Sequence, residues 1–347
     1  MKKAIAPGAL YFLVHFIVEV TSFYALTSYT QSPYVWLLMF FYDFAAFVPQ
    51  GLLGFLRDKG LRVNFALIGT ALTTLALVLM GFGCNALLAV AVVALGNCLV
   101  HIHGAELTLR SSPGLITPAA VFVAGGSFGV ITGKLLAANG VAVPWVIGLN
   151  LLGLLPVLLA ERFREGDGEE NLRLYRFANT RFPAAAVIAA AVFVVAVRAF
   201  MGYGIPTSWN KTTAQSVMLF CCMGLGKALG GVLTDTLGIR ATALISTLGA
   251  LPLLLFGAEV MSVSLIGIAC FSMTMAVTLA LIVSCLPKSP GVAFGCTTVG
   301  LFLGTAPVFF FRIRSFVANC IVITSLTVLC VLILCMICAK RSNQKEE

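Results

Sequence analysis

Apolar runs of about twenty residues, separated by polar turns of only a few, repeat along the whole chain. A helix of that length crosses a hydrocarbon core of about 30 Å, and only helices satisfy every backbone group there without water. The pattern predicts about twelve spans, over 7–28, 33–56, 63–83, 86–106, 115–138, 141–160, 183–204, 212–234, 240–258, 261–283, 290–312 and 317–338. The first follows Lys2 and Lys3, as a signal peptide would. Because His15 and Glu19 interrupt its apolar stretch and no small-x-small cleavage site follows, it is predicted to be a retained helix.

Composition agrees, with 60% hydrophobic and 10% charged residues and a mean hydropathy of +1.04. The net charge of +9 does not imply a nucleic-acid partner, because Lys and Arg concentrate in alternate turns. Cytoplasmic turns retain positive charge. With the N-terminus inside, Arg57, Lys59, Arg62, Arg110, Arg162 and Arg240 fall on the cytoplasmic side, and only Lys211, Arg312 and Arg314 fall outside. Trp36, Trp145 and Trp209 all sit at the predicted outer interface, where an amphipathic ring is stable. The reading is an inner-membrane, multi-pass protein with both termini cytoplasmic. Its 11 cysteines lie mostly within spans and imply no disulfide framework.

The long polar stretch from Glu161 to Arg181 lies near mid-chain. It divides the chain into an N-terminal six-helix half (1–160), a cytoplasmic linker (161–182) and a C-terminal half with a short tail (183–347). The halves echo each other. Gly54-Phe55-Leu56-Arg57-Asp58-Lys59-Gly60-Leu61-Arg62 returns 177 positions later (231 − 54) as Gly231 to Arg240, with Asp235 in place of Asp58. Phe128-Gly129 in span five likewise answers Phe294-Gly295 in span eleven. Gly125, Gly129 and Gly133 share one helical face, which suits close packing on another helix. One bundle built twice is the signature of carriers whose halves rock around a central site.

The pattern Gly-x-Leu-x-Asp-x-x-Gly-x-Arg at Gly231 to Arg240, its contracted partner at Gly54 to Arg62, and twelve spans with a central loop resemble the major facilitator superfamily. Gly96-Asn97-Cys98-Leu99-Val100-His101-Ile102-His103-Gly104 in span four and Arg198-Ala199-Phe200-Met201-Gly202 in span seven resemble its fosmidomycin-resistance-type branch. One departure is that Asp58 and Gly60 are two apart, where the superfamily usually has three. The resemblance implies an all-α membrane fold of two pseudo-symmetric six-helix halves. It also implies that Asp58, Arg62, Asp235 and Arg240 form a gate, the aspartates locking one side against neighbouring helix ends, and that spans one, four, seven and ten line the cavity.

Ionisable residues within spans are expensive and therefore informative. His15 and Glu19 share a face of span one and, with Asp43 in span two, are candidates for proton coupling. Arg198, whose planar guanidinium suits an anionic group, is the leading substrate-binding candidate, with His101, His103 and Tyr203. Lys227, flanked by Gly226 and Gly230, reads as structural. His101 and His103 are two apart and face different ways, so no metal site is expected. With no phosphate cradle, Ser/His/Asp set or zinc motif, neither cofactor nor enzymatic activity is expected. The expected partners are a small-molecule substrate, protons and membrane lipids, with the protein working as a monomer.

The leading functional reading is a secondary transporter working by alternating access, exporting a small organic compound in exchange for protons. Proton-driven uptake of a small anionic nutrient fits the residues nearly as well. A remoter reading is an intramembrane enzyme or sensor that uses His101 and Glu106 as acid and base.

Overall fold

The computed structural model describes residues 2–112, 114–164, 182–204, 211–311 and 313–338, with the side chains of 2–4, 203 and 204 excepted. The linker between Arg164 and Phe182, Trp209 and the tail beyond Cys338 lie outside the described residues. Every regular element among the described residues is helical.

Eleven helices are long and apolar enough to cross a membrane: α1 (Ile5–Ser28), α2 (Val35–Asp58), α4 (Ala86–Arg110), α5 (Thr117–Ala138), α6 (Val143–Phe163), α7 (Ala184–Gly202), α8 (Thr213–Leu237), α9 (Ile239–Phe256), α10 (Met261–Cys285), α11 (Pro290–Phe309) and α12 (Phe316–Ile337). A shorter apolar helix, α3 (Phe65–Gly81), completes the set.

Their starts follow from the sequence, since Asn64 accepts from the Leu67 amide, Asn85 from Leu87, and Ser315 from Ala318. Thr212 and Gln215 form a reciprocal capping box at the head of α8. The predicted ends are less accurate. Hydropathy stops at the first charge whereas backbone hydrogen bonding does not, so α2, α4 and α8 run on to Asp58, Arg110 and Leu237. Those extra turns carry Asp58, Arg110 and Asp235, and so position much of the chemistry below.

Within the first half α1 lies along α5 and against α4, while α3 pairs with α4. In the second, α7 packs on α11 and α10, and α8 packs on α10. Two main seams join the halves, α2 against α11 and α8 against α5. Under the duplication α2 corresponds to α8 and α11 to α5, so each seam is the symmetry mate of the other.

Lipid tails are as apolar as the side chains, so association depends on close packing rather than on escape from water. Glycine supplies that closeness. A Cβ on Gly125, Gly129 or Gly133 would strike the α1 backbone at Phe12, Phe16 or Val20. At the seams, Gly54 and Gly291 meet backbone to backbone, and Gly231 meets Thr117 and Ala120.

Gly129→Val should therefore destabilise the bundle by about 1–3 kcal/mol, the usual range for overpacking, whereas Gly148→Ala, which faces open space, should be neutral. Thermal unfolding in detergent checks the pair, and equal melting temperatures would refute the packing role of that glycine face.

Candidate functional site

Asp58 and Asp235 each lie four residues beyond a seam glycine (58 − 54 and 235 − 231). One helical turn later on the same face, each carboxylate therefore points at the helix that the glycine touches. Asp58 accepts from the Gly291 amide at 3.1 Å and the Val292 amide at 2.8 Å, at the N-terminus of α11. Asp235 accepts from the amides of Ile116 and Thr117, both at 2.9 Å, and from the Thr117 hydroxyl, at the N-terminus of α5. Helix N-termini present unpaired N–H groups and partial positive charge, so a carboxylate there is stabilised twice. Each contact is a latch between halves, and both are closed in this structure. Gly60 and Gly238, with φ of 93° and 87°, let the chain turn sharply after each latch.

The two latches differ in what stands behind them. Arg110 donates to Asp58 at 3.0 Å and to Glu106 at 2.7 Å. Glu106 also takes Arg57 at 2.7 Å and Arg164 at 3.3 Å, and Glu161 joins Arg164 at 2.8 Å and the His103 ring at 2.6 Å. A hollow of about 360 Å³ opens among these groups. Arg62 lines it, exposed, and Arg240 is exposed near Cys338. No ion pair to Asp235 occurs among the described residues.

His103 thus belongs to the latch end, where it stacks on Tyr11 with ring centroids 6.1 Å apart, and not to the buried centre. Glu106 is held by three arginines, whereas His101 turns to Glu19.

Deeper in the bundle, His15, Glu19 and His101 converge. His15 Nδ1 lies 2.9 Å from the Phe122 carbonyl, and His101 Nδ1 lies 2.9 Å from the Asn97 carbonyl. A carbonyl only accepts, so each ring donates from Nδ1 and turns Nε2 inward. Those Nε2 atoms stand 3.6 Å and 3.4 Å from Glu19 Oε1. The carboxylate and the two ring nitrogens thus form one cluster within which a proton can be shared. All three ligand atoms lie within 4.8 Å of one another, a spacing that would also admit a metal ion. The expectation of no metal site compared His101 only with His103; the partner that converges with it, His15, comes from another helix.

Asn97, which the sequence reading left without a role, donates to Glu19 Oε1 and to Ser22 Oγ, both at 3.0 Å. Ser22 meets the Tyr42 hydroxyl. Tyr42 and Asp43 line a cavity of about 450 Å³ at the end away from the latches. A polar chain therefore runs from the cavity through Tyr42, Ser22 and Asn97 to Glu19.

The cavity walls come from α1, α2, α7, α11 and α12. Spans four and ten were expected to line it, and neither contributes a residue to this wall. Arg198, on α7, is not ion-paired to Glu19: its Nε is buried without a hydrogen-bond partner. Lys227, expected to be structural, donates to Ser127 Oγ at 2.9 Å and lies within electrostatic reach of Glu19 and Arg198. Lys134 was missed altogether, and its Nζ sits 5.4 Å from the ring of Phe23, on the cavity wall. The Tyr203 side chain lies outside the described residues. Lys227 and Lys134 could have been found by weighing every intramembrane cation; Asn97 and Ser127 carry no comparable signal.

No family model matches the chain, and no curated protein matches it. Among solved structures, that of a variant of the E. coli fucose:proton symporter FucP is similar, with a TM-score of 0.65 and 15% identity over 97% of this chain and 98% of that one. The fold is therefore the major facilitator fold. The comparison lends nothing to the narrower fosmidomycin-resistance-type resemblance.

Arg57 is 5% exposed and Glu106 is 3% exposed, so Glu106→Gln leaves a buried guanidinium without its carboxylate. A loss of about 3–5 kcal/mol is expected for breaking such a pair. A fall in detergent melting temperature larger than that of Arg110→Gln, whose side chain is one-third exposed, checks it.

Proposed function

We propose that this chain is a secondary active transporter of the inner membrane that works by alternating access and drives the uptake of a small solute with protons. One observation carries the reading: two symmetry-related latches close one end of the bundle while a cavity at the other end leads by a polar chain to a buried acid. A carrier needs both parts, a seam that can exchange its closed end and a central group that senses which end is open.

The convergence at Glu19 favours a proton as the coupling cation. A proton shared among the carboxylate and the two Nε2 atoms would join them as donor and acceptor. The groups facing Glu19 are His15 on its own helix, Tyr42 and Asp43 on α2, Asn97 and His101 on α4, and Lys227 on α8. A dication there would be repelled by Lys227 about twice as strongly as a proton. The solved neighbour is named as a proton symporter. Export was favoured only through the branch resemblance, so uptake now leads.

In this scheme the latch end faces the cytoplasm with both termini, each half moves as a unit, and the monomer is sufficient. Each latch contributes on the scale of a charge-assisted hydrogen bond, about 1.5–3 kcal/mol. That shifts a two-state equilibrium by tenfold or more. Proton and solute occupancy at the centre need supply only a comparable difference to exchange the open end.

Asp235→Asn should open the latch end. In a background freed of native cysteines, maleimide labelling of a cysteine replacing Ser112, which is buried beside this latch, should accelerate about tenfold. An unchanged rate rules the latch out. In proteoliposomes, Glu19→Gln should abolish solute accumulation driven by a pH gradient while sparing solute exchange. Accumulation that persists, or solute that leaves as protons enter, would defeat proton symport through Glu19.

A further inference from the structure

We infer that Arg198 and Lys227 form a binding site for an oxyanion, so that the solute carried is a small organic anion; this rests on the transport reading. The argument begins with charge. Away from the latch end, the described bundle interior holds Lys134, Arg198 and Lys227 against Glu19 and Asp43. Glu19 Oε1 already faces two histidines and accepts from Asn97, and Asp43 lies on the cavity wall. Among the described residues, no carboxylate lies within ion-pair distance of Arg198 or Lys227.

These two cations nevertheless interact with each other. An arginine keeps its proton in any protein environment, and two positive charges brought together out of water repel strongly. Buried charge is expected to be paired. Arg198 Nε has no partner, and of the three Lys227 donors one is satisfied by Ser127. A guanidinium offers two parallel N–H groups to a carboxylate or phosphate, and an ammonium adds a point charge.

The site also has an approach. Met201, one turn along α7 from Arg198, and Phe23, one turn along α1 from Glu19, belong to the cavity wall. Lys134 beside Phe23 adds positive potential to the way in. Apart from Tyr42, Asp43 and Asn319 the wall is apolar, with Phe200, Phe309 and Ile323, which suits an organic body more than a hydrated inorganic ion. Fucose, the solute named for the solved neighbour, is uncharged and would leave the cation pair uncompensated.

The test uses the purified full-length protein in detergent, with benzoate, succinate, inorganic phosphate and L-fucose as probes in thermal unfolding. At least one oxyanion should raise the wild-type melting temperature saturably, and L-fucose should not. Response to a carboxylate or to phosphate identifies the head group. Arg198→Met and Lys227→Met should each weaken that response at least tenfold, with Arg198→Lys retaining part of it. Without any probe, Lys227→Met should melt no lower than wild type, because relief of repulsion offsets the lost Ser127 bond.

The site is overturned if no oxyanion shifts the wild-type melt, if L-fucose does so equally, or if both Met variants respond as wild type does. Proton-driven flux of a neutral solute with no oxyanion response would sink this site and leave the transport reading standing. Oxyanion binding without flux in proteoliposomes would do the reverse.

Discussion

A carboxylate set on the N-terminus of a helix in the opposite half, one turn beyond a glycine that allows the two backbones to touch, is the contact on which the architecture depends. The glycine makes the seam narrow and the aspartate makes it polar, and neither works alone. Without Gly54 the α2 and α11 backbones could not meet, and Asp58 would fall short of the Gly291 and Val292 amides. Without the aspartate, the first amides of α11 would be left unpaired in a low-dielectric seam. Because the contact occurs twice in symmetry-related form, one end of the bundle is sealed along two lines. A hinge sealed this way has two discrete states, since a helix N-terminus either has its carboxylate or does not.

Symmetry governs the latches but not the charges around them. Behind Asp58 stands a network through Arg110, Glu106, Arg57, Arg164, Glu161 and His103 drawn from α2, α4 and α6 and the turn that follows. Among the described residues, Asp235 is met by the hydroxyl and backbone of the α5 terminus alone. The first latch is thus tied to the rest of its own half, so opening it means moving α11 away from a stiff platform. The second is a simple cap. The same division holds at the centre, where acid and histidines come from α1 and α4 while Arg198 and Lys227 come from α7 and α8. A duplicated frame thus carries two unlike charge sets, an asymmetry that the proposed coupling of a proton to a solute would use.

Twelve helices, their order and the paired aspartates are legible in the sequence because each rests on a local signal: hydropathy over about twenty residues, or a motif repeated at a fixed offset. The i, i+4 spacing of Gly54 and Asp58 even fixes which face they share. What escapes is whatever depends on the rotation of one helix against another. His101 and His103 are alike in sequence, yet one turns toward Glu19 and the other toward Glu161. Arg198 lies 179 positions after Glu19 (198 − 19), close to the 177 of the repeated turn, but a shared place in two repeats is not a contact, and its Nε is left without a partner. Asn97 and Ser127 bear no charge, so nothing in a single chain distinguishes them from packing residues.

The arrangement also orders events within a cycle. The latches and the central cluster share helices, since α1 carries Glu19 and packs along α5, whose N-terminus Asp235 caps. Gly129, in the face that touches α1, would place a Cβ against Glu19 itself. A change in the charge of Glu19 is therefore felt where α1 and α5 are closest, and α5 is the element that the second latch holds. On the other side, Lys227 lies two turns from Asp235 on α8 and reaches across to Ser127 on α5, so an anion drawn to Lys227 acts on the same pair of helices. In the proposed cycle proton and anion would therefore bear on one seam, α5 against α8, from its two faces. The lightly buttressed Asp235 latch sits at the end of that seam and is the one placed to yield first, leaving the buttressed Asp58 latch to follow.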